Sequence, residues 1–101
     1  MTKLIKNGKV AVLVSHGFGA GWSTWGDEES CLDGELAQAI LNEKPKEDIL
    51  TIAEKNWPDQ YQGGLMDCEV YWVEQGDAFR INEYDGNESL EFLGEVDWRI
   101  A

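Results

Sequence analysis

The run Val10-Ala11-Val12-Leu13-Val14 passes without a break into Ser15-His16-Gly17-Phe18-Gly19-Ala20-Gly21-Trp22-Ser23-Thr24-Trp25-Gly26, and this junction limits the possible folds more than any other feature of the chain. A continuous β-branched and aliphatic run bounded by glycine is the pattern of a central strand covered on both faces. The segment after it is a loop by composition. Its glycines let backbone approach another group closely, and its two tryptophans supply stacking faces that solvent-exposed loops seldom carry without a partner.

Helical spacing follows. Leu32, Leu36, Ala39 and Ile40 recur on one face of residues 30–43, with Asp27, Glu28, Glu29 and Asp33 gathered at the amino-terminal side, where they favour the helix dipole. Gly34 falls inside this stretch as a helix-weakening residue. Pro45 opens a second helix, carrying Ile49, Ile52 and Ala53 on one face until Trp57-Pro58 ends it. Pro58-Asp59-Gln60-Tyr61-Gln62-Gly63-Gly64-Leu65 is a loop.

The second half is β-prone. Residues 68–74 place Val70 and Trp72 on one face and Tyr71 and Val73 on the other, and Gln75-Gly76-Asp77 reverses the chain. Residues 78–84 set Phe79, Ile81 and Glu83 against Arg80, Asn82 and Tyr84, and Asp85-Gly86 is a type I′ hairpin signal leading into residues 88–93. Those last residues also fit one helical turn. Residues 96–100 close a meander, with Trp72 and Trp98 in the core. The expectation is one α+β domain over 1–101: an antiparallel sheet of four to five strands, with two helices inserted after the first strand and packed on one face.

Composition excludes several classes. No run approaches the ~20 apolar residues of a membrane span, and the amino terminus lacks a signal-peptide centre, so a soluble, cytoplasmic protein is expected. Cys31 and Cys68 read as reduced thiols. His16 is the sole histidine, and no Cys-x-x-Cys spacing supports zinc, so neither metal nor cofactor is expected. The formal net charge is −12. From Asn56 onward only Arg80 and Arg99 stand against a long series of carboxylates, which disfavours direct nucleic-acid binding and favours a basic protein partner.

Known catalytic and nucleotide motifs fit poorly. Strand-Ser-His-Gly-Phe-Gly is similar to the oxyanion segment of α/β-hydrolases, but the chain has no Gly-x-Ser-x-Gly elbow and no second histidine. The third glycine of a dinucleotide fingerprint would fall at Trp22, and the acids after it oppose a pyrophosphate. Asp85-Gly86-Asn87-Glu88-Ser89 carries calcium-type oxygens, but has Leu90 and Val96 where a calcium loop has glycine and glutamate. An enzyme is therefore not expected.

Three blocks, Gly17-Phe18-Gly19-Ala20-Gly21-Trp22-Ser23-Thr24-Trp25, Pro58 through Leu65, and Phe79 through Glu91, resemble a family of small uncharacterised proteins encoded by tailed bacteriophages. The resemblance transfers no activity. It implies an accessory protein that binds and disables a component of the host cytoplasm, such as a defence or regulatory factor.

Two binding modes are open. In the first, Ser15, His16, Gly17, Gly19, Gly21, Trp22, Ser23, Thr24, Trp25 and Tyr61 form a pocket that sequesters a small nucleotide-like molecule, through glycine-loop N–H groups and a stacked indole. In the second, Asp77, Glu83, Asp85, Glu88, Glu91, Glu95 and Asp97 mimic nucleic acid and occupy a basic cleft on a host protein. The oligomeric state is left open.

Overall fold

A computed structural model describes residues 2–92. The expected strand at 96–100, with Glu95, Asp97 and Trp98, lies outside the described residues. In chain order the elements are β1 (Ile5–Lys6), β2 (Lys9–Ser15), α1 (Gly34–Leu41), α2 (Lys46–Asn56), β3 (Cys68–Glu74), β4 (Phe79–Tyr84) and β5 (Asn87–Phe92), with short 3₁₀ turns at Ser23–Trp25, Glu28–Leu32 and Leu65–Asp67. The fold is α+β. The strands form two antiparallel sheets, one of three strands in the order β1-β2-β3 and one of two, β4-β5, rather than a single sheet of four or five.

Strand β2 is covered on both faces, as its composition demands. Ala11 and Leu13 point to one side and pack with Leu36, Ala37, Ala39, Ile49 and Ala53 of the two helices, with Val70 and Trp72 of β3 against them. Val12 and Val14 point to the other side, where Val73 and Tyr71 of β3 meet Phe79, Ile81, Leu90 and Phe92 of the β4–β5 hairpin. Three layers result: helices, three-stranded sheet, hairpin. The hairpin splits off because its own apolar face needs cover, and the back of β2 and β3 supplies it.

Both two-residue turns take the left-handed conformations of a type I′ hairpin: Asn7 and Gly8 at φ 52° and 76°, Asp85 and Gly86 at φ 51° and 86°. The first makes β1 a short partner of β2, with Ile5 opposite Val10. The Asn-Gly pair carried that signal in the sequence, hidden by the lysines around it. The second turn makes β5 a strand and settles the alternative of a helical turn.

The first helix starts later than its apolar spacing predicts. The Asp33 side chain accepts from the backbone N–H groups of Glu35 and Leu36, so α1 begins at Gly34 and residues 28–32 form a 3₁₀ turn instead. That break sends Cys31 and Leu32 to the hairpin side while Leu36 faces the helix side. Gly34 is required by contact rather than tolerated. A Cβ there would lie 2.4 Å from the Thr2 carbonyl oxygen, and the Gly34 N–H donates to that same oxygen.

Candidate functional site

Three loops meet at the end of the molecule where β2 finishes, and a carboxylate ties the glycine loop to the β4–β5 hairpin. Glu88 is fully buried. One of its oxygens accepts from the Ser15 N–H at 2.9 Å; the other accepts from the Trp22 N–H at 2.8 Å, the Thr24 N–H at 3.1 Å and the Thr24 hydroxyl at 2.6 Å. The type I′ turn explains its position. It pairs Glu83 with Glu88 and Ile81 with Leu90, so Glu88 shares the inward face with Leu90 and Phe92. Glu88 thus belongs to the interior and is corrected from the exposed acidic set. Burying a charge this fully is tolerable only because charge-assisted bonds replace its water.

The same bonds change what the glycine loop can offer. The amides of Ser15, Trp22 and Thr24 are engaged inside the protein. Ser15 is buried, with its hydroxyl donating to the Gly64 carbonyl at 2.7 Å, and Ser23 is buried as well. Trp22 has no exposed surface, and its indole N–H donates to the Gln62 side chain at 2.8 Å. Its expected place as a stacking face for a ligand is therefore corrected: the ring fills the core between sheet and helices.

Trp25 behaves differently. It is 45 % exposed and stacks on Tyr61, itself 61 % exposed, with ring centroids 6.3 Å apart. The loops carrying these rings are clipped by Gln60, whose side chain accepts from the Asp27 N–H and donates to Ser30 Oγ and the Trp22 carbonyl. The burial of Gln60 is not legible in the sequence, because a glutamine in a loop carries no signal of burial.

The hairpin tip completes the end. The Gly19 N–H donates to the Asp85 carbonyl at 2.6 Å, and a Cβ on Gly86 would lie 2.2 Å from the Ala20 nitrogen. Phe18 and Tyr84, on either side of this seam, are 70 % and 79 % exposed. Gly17 lies against Asp67, whose carboxylate occupies the place a side chain would need, while Gly21 is buried. His16 is exposed, and its Nε2 sits 2.7 Å from the Tyr71 hydroxyl and 3.9 Å from the Glu69 carboxylate. Ser15 and His16 form no nucleophile–base pair, since the Ser15 hydroxyl is spent on Gly64.

Of the remaining acids, Asp77, Glu83 and Asp85 are exposed, with Glu83 accepting from the Gly86 N–H. Glu91 is half-buried and bound by Asn82 and Arg80, which hold its carboxyl below the usual range. Beside this hairpin lies a cavity of about 460 Å³ between the 3₁₀ turn at Glu28–Leu32 and β4. Among the described residues no group of three or more His, Cys, Asp or Glu side chains is gathered for a metal, and no helix is long and apolar enough to cross a membrane.

No protein-family model, curated protein or solved structure matches the chain.

Proposed function

We propose that the chain is a non-enzymatic accessory binding protein, of the phage type its motifs resemble, which engages a basic surface of a host defence or regulatory protein. The observation that carries this reading is the exposed Trp25–Tyr61 stack on loops clipped together from within, with Phe18 and Tyr84 exposed where the glycine loop meets the hairpin tip. Large aromatics held rigidly in water lose little entropy on binding and are the usual anchors of protein interfaces. The net charge of −12 selects the partner's sign, and aromatic faces beside carboxylates suit arginine and lysine side chains.

Sequestration of a small nucleotide-like molecule is the weaker reading. Its stacking face reduces to Trp25 and Tyr61, and Glu88 already fills the place where an anion would meet the loop amides.

The test is capture from host lysate on the wild-type protein, on Trp25→Ala/Tyr61→Ala and on Phe18→Ala/Tyr84→Ala. Support requires one basic polypeptide, retained by the wild type, lost from both variants and released as salt rises from about 0.1 to 0.5 M. Retention indifferent to the aromatic variants, or a small molecule retained in native mass spectrometry with no protein, overturns it.

A further inference from the structure

The cavity between the 3₁₀ turn at Glu28–Leu32 and β4 is distinct from the aromatic end, although Ser23 and Thr24 of the glycine loop reach its wall. Its lining divides by chemistry. Leu32, Phe79 and Ile81 supply an apolar surface, and Glu28, Glu29 and Glu83 supply three exposed carboxylates. Arg80 also lines it, but that guanidinium is bound to Glu91 at 3.1 and 3.2 Å. Among the described residues none of the three carboxylates is in an ion pair, so the groove carries net negative charge beside an apolar wall.

An aliphatic stem ending in a cation matches that division. The stem covers apolar surface while the charged head stays at the wet carboxylates. A nucleotide or other anion is opposed by the same three groups. We infer that this groove receives a lysine or arginine side chain projecting from the basic partner. The inference rests on the binding-protein reading above, adding a second contact whose lining includes neither Trp25 nor Tyr61, and it names what the partner must present there.

The probe is a peptide of alternating Lys and Gly, titrated into the full chain and followed by NMR. A second peptide of equal charge replaces each Lys by diaminopropionic acid, which shortens the stem and keeps the cation. The expected result is shifts centred on Leu32, Phe79 and Ile81. Binding should weaken about tenfold with the short-stemmed peptide, and about tenfold in Glu28→Gln/Glu29→Gln/Glu83→Gln. Neutralising Glu43, Glu47 and Glu54, exposed acids elsewhere, should change affinity by no more than about twofold, since it removes the same charge without touching the groove.

Absence of shifts at the groove, equal binding of both peptides, or equal loss in both triple variants overturns the inference. Tighter binding of spermidine than of the Lys peptide at the same residues also overturns it, by assigning the groove to a free polyamine. The two proposals fail separately. Loss of groove binding leaves the Trp25 and Tyr61 dependence of host capture standing, and failure of host capture leaves the peptide result standing.

Discussion

Glu88 occupies the position that a bound anion takes in many glycine-loop sites, with backbone N–H groups converging on its oxygens. An internal carboxylate in that place trades ligand binding for rigidity. Glu88→Gln keeps the shape but turns an amide N–H₂ toward donors, so it is expected to destabilise the fold by about 2–4 kcal/mol, measured by urea unfolding. Its charge reaches further. Burial first, and then Glu88, pushes the Cys31 thiol up from 9.0 to about 11, and the same two causes raise Cys68. Both thiols should resist alkylation in the native protein at pH 8 and react after unfolding. A thiol whose folded pKa is raised contributes stability in full below the unfolded value, so the unfolding midpoint should hold to about pH 9 and fall between about 9 and 11.

Between elements, Asp33 does the most joining. It caps α1, and its second oxygen accepts from Asn56 and from the Trp57 indole at the end of α2, at 2.9 and 2.8 Å. Asp33→Ala removes the cap and leaves the part-buried Trp57 indole N–H without its acceptor, an expected loss of about 2 kcal/mol by thermal or urea unfolding. Gly86→Ala should cost about 2–3 kcal/mol, because φ is +86° and the added methyl would strike Ala20 backbone. Much of this level was legible in the sequence: β2, α2, both faces of β3 and the Asp85-Gly86 hairpin all follow from local pattern. The late start of α1 was not, since Leu32 fits the apolar stripe by spacing and only the cap chemistry of Asp33 removes it. Nor is the burial of Glu88 legible from composition. Its signal lay in the hairpin register, which ties its face to that of Leu90, and composition alone counted it among surface acids. The exposed Trp25 and enclosed Trp22 differ only through tertiary packing, which no spacing rule encodes.

At the scale of the molecule, an acidic body carries one end where three loops interlock and aromatic rings face water. If that end binds a basic partner as proposed, the binding should weaken steeply with salt and depend on Trp25 and Tyr61 far more than on Trp22, whose loss should act through stability. All of this requires that the glycine loop be held from inside by Glu88. Amide hydrogen exchange at Ser15, Trp22 and Thr24 tests that requirement most directly. In the wild type these three amides should exchange slowly, near the rate set by global unfolding, and in Glu88→Ala they should speed up far more than the amides of α2. Exchange of all three at the rate of an open loop in the wild type would contradict the account.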